Sequence, residues 1–118
     1  STRSFIHIDD VSNATWKIML GGNNGNTYHI STKDILSIRE LVQKICKRLD
    51  RPFDEHVEIV GDRLGKDSAY HLDSSKIERE LNWASAISLD DGLENCINWV
   101  ITHFNELKNA SHQYVHKS

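Results

Sequence analysis

Three serines, each standing three residues ahead of a carboxylate, decide where much of this chain turns helical. Ser37-Ile-Arg-Glu40, Ser75-Lys-Ile-Glu78 and Ser88-Leu-Asp-Asp91 all read as capping boxes. In such a box the hydroxyl satisfies a free amide of the first turn and the acid reaches back to the serine N–H. Behind Ser37, the residues Ile38, Leu41, Val42, Ile45 and Leu49 recur at helical spacing and form one apolar stripe, which Pro52 closes. The box at Ser75 opens a short helix to about Leu81. Behind Ser88, the residues Leu89, Leu93, Cys96, Ile97, Val100 and Phe104 share one face. A further helix starts at Asp9 or Asp10, carries Val11, Ala14, Thr15 and Ile18, and ends in the turn Gly21 to Gly25.

Short β-prone runs separate these helices: Phe5 to Ile8, Thr27 to Ile30 and Val57 to Val60. The order is strand, helix, strand, helix, strand, helix, helix. That alternation predicts a small α/β domain of short strands and about four helices, too small for a complete doubly wound sheet. Residues 1–107 read as the domain, and the polar stretch 108–118 as a frayed tail.

With 14 basic against 17 acidic residues the net charge is −3, which argues against a nucleic-acid partner. No apolar run has the length of a membrane span and no signal peptide opens the sequence, so a cytoplasmic protein is expected. Cys46 and Cys96 fall in apolar-periodic stretches and read as reduced core thiols. Trp16, Trp83 and Trp99 read as core or interface packing.

Several chemistries are missing from the pattern. A dinucleotide needs a glycine-rich turn between a strand and a helix, so that backbone amides reach its pyrophosphate. The one glycine cluster, Gly21 to Gly25, follows a helix and precedes a strand. A tyrosine with lysine one helical turn later is absent too, since Thr32, Ser74 and Ser118 stand four residues beyond Tyr28, Tyr70 and Tyr114. Of the seven histidines only His112 and His116 have helical spacing, in the polar tail without a carboxylate partner, so no metal site is expected.

The stretch from Gly61 to Tyr70 is chemically dense. Arg63 offers a planar fork of donors suited to a diphosphate, Gly65 permits close backbone approach, and Lys66 adds a second cation. Asp62 and Asp67 can orient these cations. On chemistry alone a solvated charged loop would look the same.

The sequence resembles a known family along most of its length. Arg3-Ser-Phe-Ile-His-Ile-Asp-Asp10 is similar to the R-x-(apolar)-(apolar)-x-(apolar)-x-D segment of extended short-chain dehydrogenases acting on nucleotide sugars. Asn26-Thr-Tyr-His-Ile-Ser31 resembles their x-x-Y-N-I-G strand. Gly61 to Tyr70, with His71-Leu-Asp73 and Lys76 to Trp83, resembles D-R-P-G-H-D-x-R-Y-x-x-D-x-x-K-I-x-x-E-L-G-W of the dTDP-glucose 4,6-dehydratase branch. The chain departs at Leu64 for proline, Lys66 for histidine, Ser68 and Ala69 for arginine, His29 for asparagine and Ser31 for glycine.

The resemblance implies the substrate-binding C-terminal part of an NAD-dependent lyase, without the N-terminal Rossmann domain that holds NAD and the catalytic groups. It implies that Arg3 and Arg63 clamp the diphosphate of a nucleoside diphosphate sugar, a dTDP-hexose first among them. Asp62, Leu64, Gly65 and Lys66 would line the nucleotide side, with Tyr70 as a wall and His29 facing the ligand. The implied reaction moves hydride from sugar C4 to NAD, removes the C5 proton with loss of the C6 hydroxyl, and returns hydride to C6. None of those steps is expected of residues in this chain, nor is NAD expected to bind it. The expected partners are the missing Rossmann domain and further copies of the chain, associating by exchange of the first strand. A nucleotide-sugar epimerase or decarboxylase of the same superfamily, and a stand-alone binding module, remain open alternatives.

Overall fold

A computed structural model describes residues 1–61 and 64–112. Its sheet has three short strands, with β1 (Thr2–Ser4) between β2 (Ile35–Ser37) and β3 (Ala69–Tyr70). The pairing β1/β2 is antiparallel with Arg3 opposite Leu36, and β1/β3 is parallel with Arg3 opposite Tyr70. The helices are α1 (Ile8–Gly21), α2 (Ile38–Arg48), α3 (Phe53–His56), α4 (Ser75–Leu81), α5 (Leu89–Thr102) and α6 (Phe104–Asn109). The small α/β expectation holds, with α3 and α6 as additional short helices.

The strands differ from the sequence reading. The first lies at Thr2–Ser4 rather than Phe5 to Ile8, because β1 is held by ladders on both sides while His7 already caps α1. Thr27 to Ile30 forms no strand. Lys76 Nζ instead holds this run to α4 by donating to Asn26 Oδ1 at 2.9 Å and to Thr27 O at 3.0 Å, while sitting 4.7 Å from the centre of the Tyr28 ring. Val57 to Val60 is likewise outside any strand, with Ile59 and Val60 exposed. The true flanking strands are two and three residues long, too brief to carry a period of their own.

The helix starts follow the serines with one exception. Ser37 and Glu40 form the full reciprocal box, and Ser88 Oγ accepts the Asp91 N–H. At α4 the cap shifts by one: Ser75 N–H donates to Asp73 Oδ1 at 2.9 Å, and Ser74 Oγ donates to Glu78 Oε1 at 2.8 Å. Helix α1 starts at neither aspartate, since its cap is His7, whose Nδ1 accepts the Asp9 N–H at 3.2 Å.

Asp10 has a longer-range task. Although charged, it is buried, and its two carboxylate oxygens accept the N–H groups of Ala86 and Ile87, each at 3.0 Å. Its backbone carbonyl accepts the Trp83 indole N–H at 3.2 Å. One residue of α1 thereby fixes the turn that leads into α5, and Trp83 closes over the core of Ala14 and Ile77, against which Ile6, Ile18, Tyr28 and Ile30 pack. Gly92 completes the joint, because a β-carbon there would stand 3.3 Å from the His7 ring. Farther out, Arg48 and Lys44 of α2 donate to the Asp90 carboxylate of α5 at 2.8 and 3.2 Å.

The body built this way is open. Its radius of gyration is 17.4 Å, against about 13.5 Å for a compact chain of this length. Its accessible surface is 9547 Å², against about 6,500 Å² for a closed monomer of this mass. Helix α1 buries Asp10 and Ala14 on one side and exposes Ile8, Trp16, Met19 and Leu20 on the opposite side. A helix apolar on both sides is normally covered on both. Helix α5 outruns its cover, so Trp99, Val100 and Ile101 are exposed and Phe104 continues the bare surface into α6. Cys96, on the wall of a cavity that it shares with Leu41 and Leu93, is exposed while Cys46 is buried, which corrects the expectation of two core thiols. Of the tryptophans only Trp83 is core. Helix α6 extends to Asn109, past the start of the expected tail, and residues 113–118, with Tyr114 and His116, lie outside the described residues. Among the described residues no helix is long and apolar enough to cross a membrane.

Two tests follow from these joints. Asp10→Ala strips acceptors from two amides and should lower the unfolding free energy by about 2–4 kcal/mol, read by urea denaturation followed by circular dichroism. An unchanged midpoint would remove Asp10 from its central role. The second test is acid. Glu40 is held below its ordinary 4.5 chiefly by the Ser37 amide, Asp73 below 3.8 by the Ser75 amide, and Asp90 below 3.8 by Arg48 and then Lys44. Such carboxyls bind a proton less readily folded than unfolded, so the stability they contribute is present above the ordinary values and is lost as pH falls through the lowered ones. The melting temperature should therefore drop as pH falls below about 4.5, and Asp90→Asn should flatten part of that drop. An identical acid profile in the variant would contradict the assignment to Asp90.

Candidate functional site

Arg3 occupies the middle of the central strand, and the parallel pairing sets Tyr70 directly opposite it. Both line a cavity of about 90 Å³ whose remaining wall is Ser4, Ile6, Ile30, Ser31 and Leu72. The local reason is the register. Thr2 N–H donates to Ser68 O at 2.9 Å, and this bond brings the end of the dense segment alongside β1. Among the described residues the Arg3 guanidinium donates to Thr2 O at 2.8 Å and to Asp67 O at 3.1 Å. It therefore steadies the backbone just before β3, and an arginine has five N–H donors to distribute.

The other sequence-derived candidates are distributed less evenly. Leu64 and Gly65 form an exposed turn in which Gly65 takes φ +77°, a left-handed conformation that costs glycine nothing. Leu64, Gly65 and Lys66 are exposed and do not line the cavity. His29 is exposed beside the cavity wall, and its charge adds to the forces lowering Asp73. Asp62 and Arg63 lie outside the described residues. Thus the structure joins Arg3 and Tyr70, keeps His29 at the margin, and holds Leu64 to Lys66 in the loop leading to β3.

Five wall positions, Ser4, Ile6, Ile30, Ser31 and Leu72, were not singled out from the sequence as site residues. Ser4 follows Arg3 immediately, and Ser31 was visible only as a departure from glycine. Leu72 carried no signal. Ser4 and Ser31 belong to a hydroxyl cluster with Thr32, in which Ser31 Oγ donates to Ser4 Oγ at 2.9 Å. Ser31 itself is 5% exposed.

A nicotinamide dinucleotide does not fit the described residues. Gly21 ends α1 and Gly22 caps it, and Gly25 sits in a turn leading to the irregular run 26–31. A strand-to-helix glycine turn for the pyrophosphate is not found there. Nor do the described residues gather three metal-ligating side chains.

Comparison with known proteins bears directly on this arrangement. The sequence profile of the GDP-mannose 4,6 dehydratase family matches residues 1–96. The chain belongs to this family. Among the relatives of this family member is the dTDP-glucose 4,6-dehydratase of Streptomyces niveus, 35% identical over 97 residues, covering 82% of this chain and 29% of that protein. Among solved structures, DesIV, a dTDP-glucose 4,6-dehydratase from Streptomyces venezuelae crystallised with NAD, superposes with a TM-score of 0.85 at 33% identity, over 90% of this chain and 33% of that one. The Bordetella bronchiseptica enzyme WbmF, crystallised with NAD+ and UDP, gives 0.73 at 27% identity, over 92% and 32% respectively. This family member therefore spans about a third of the length of the proteins it matches.

Proposed function

We propose that this chain forms the nucleoside-diphosphate-binding part of an NAD-dependent dTDP-glucose 4,6-dehydratase. That lyase removes water from an activated hexose to give the 4-keto-6-deoxy sugar, a step of deoxysugar synthesis in the cytoplasm. In this reading Arg3 and Arg63 hold the diphosphate and Lys66 adds charge. Tyr70 walls the pocket, and His29, Asp62, Leu64 and Gly65 border the nucleotide. Redox and proton-transfer steps, with NAD, belong to the remainder of the enzyme, since the described residues lack a dinucleotide turn and the sequence lacks the Tyr–Lys pair.

One observation carries the reading: Arg3 and Tyr70, remote in sequence, line one cavity at the end of the dehydratase-like segment. The similarity to dehydratases along nearly the whole chain supports this reaction over epimerisation or decarboxylation. The bare faces of α1 and α5 support docking against the rest of the enzyme, and in its absence against further copies of the chain.

Titration with dTDP, UDP and GDP at fixed salt should show binding strongest for dTDP. Arg63→Ala and Arg3→Ala should each weaken it about tenfold or more, as loss of a charge-assisted contact demands. The 118-residue chain should not turn over dTDP-glucose. Undiminished binding in both variants, or turnover by the chain alone, would refute the assignment. Sedimentation should reveal concentration-dependent association, and a monomer at every concentration would count against docking through these faces.

A further inference from the structure

The hydroxyl cluster behind the cavity has a direction. Thr32 Oγ1 donates to Phe5 O at 3.0 Å, and Thr32 N–H donates to Ser4 Oγ at 3.1 Å. Ser31 Oγ also donates to Ser4 Oγ, at 2.9 Å. Ser4 Oγ, with two incoming bonds, has its own proton shared between Thr32 O and Thr32 Oγ1, each at 3.1 Å. The Ser31 proton therefore points into the protein, and among the described residues no group donates to its oxygen. A hydroxyl oxygen can accept two hydrogen bonds, so Ser31 meets the cavity as an acceptor.

The cavity thus has two unlike ends. Arg3 brings positive charge to the wall, whereas Ser31 brings lone pairs. The ionised oxygens of a diphosphate are acceptors, which suit Arg3 and leave Ser31 unmatched. A sugar hydroxyl next to the diphosphate supplies the donor that Ser31 lacks. We propose that Ser31 reads a hydroxyl of the sugar joined to the diphosphate, and so favours a sugar-bearing diphosphate over the inorganic ion. This inference rests on the reading of the cavity as the diphosphate site. The contact is an addition peculiar to this chain, because the glycine of the resembling pattern has no hydroxyl to offer.

The test is a titration of the 118-residue chain, followed by amide chemical shifts, with inorganic pyrophosphate, UDP and UDP-glucose. It is run on the parent, Ser31→Ala and Ser31→Gly, with the amide spectrum of each free variant confirming that it keeps its core. One neutral hydrogen bond corresponds to about a fivefold to tenfold change in affinity. Both variants should lose that much for UDP-glucose while pyrophosphate binding stays unchanged. A loss already present with UDP assigns the contact to the ribose, and a loss confined to UDP-glucose assigns it to the hexose; either bears the proposal out. Equal losses for pyrophosphate and the sugar-bearing ligands, or no loss with any, overturn the role of Ser31. A parent chain that takes up none of the three overturns the diphosphate reading itself, and this inference with it.

Discussion

The Asp10 carboxylate is the contact on which the rest of the molecule leans. It is a buried charge, and burying a charge is costly unless hydrogen bonds compensate. Here two amides from one turn do so, and the carbonyl of the same residue holds the Trp83 indole. The consequences spread in both directions along the chain. Toward the C-terminus the turn at 86–87 aims α5 so that Gly92 meets His7. Toward the N-terminus Ile6 packs against the core and also lines the cavity beside Arg3. A single carboxylate therefore couples the packing of helices to the shape of the wall where a ligand would sit.

The cavity is built from very little regular structure. Its strands are two or three residues long, and stability of such a sheet comes from what packs on it. Arg3 shares in this support by donating to Asp67 O, and Lys76 ties the run 26–28 to α4. The surplus of exposed surface and the two-sided apolar character of α1 describe a body whose apolar faces are left uncovered among the described residues. A chain spanning about a third of its relatives' length fits that description.

Helices were legible in the sequence because their signals are local. A serine and an acid three residues apart announce a first turn, and an apolar stripe runs for as long as the helix does. The cap of α1 was misread because Asp10, a good capping residue, has its partners at Ala86 and Ile87, a distance no window can see. Strands were read poorly for a similar reason. Thr27 to Ile30 has the composition of a strand but spends its side chains on the core and on Lys76, whereas Ala69–Tyr70 is a strand only because Arg3 lies beside it. Within the site, Arg3 and Tyr70 could be named from motif resemblance, and the structure brings them together. Ser4, Ser31 and Leu72 become wall residues only through the fold. The thiol of Cys96 shows the opposite failure: its periodicity is that of a buried residue, but it lies open on the wall of a cavity that it shares with Phe5, Leu41 and Leu93.

Lys76 lies in the stretch that most resembles the nucleotide-sugar enzymes, yet its ammonium group is engaged with a side-chain amide, a carbonyl and an aromatic ring of its own domain. Its work is architectural. In a lineage that ceased to handle sugar nucleotides, selection on folding would still retain this lysine. A motif can therefore outlive the chemistry it is used to diagnose.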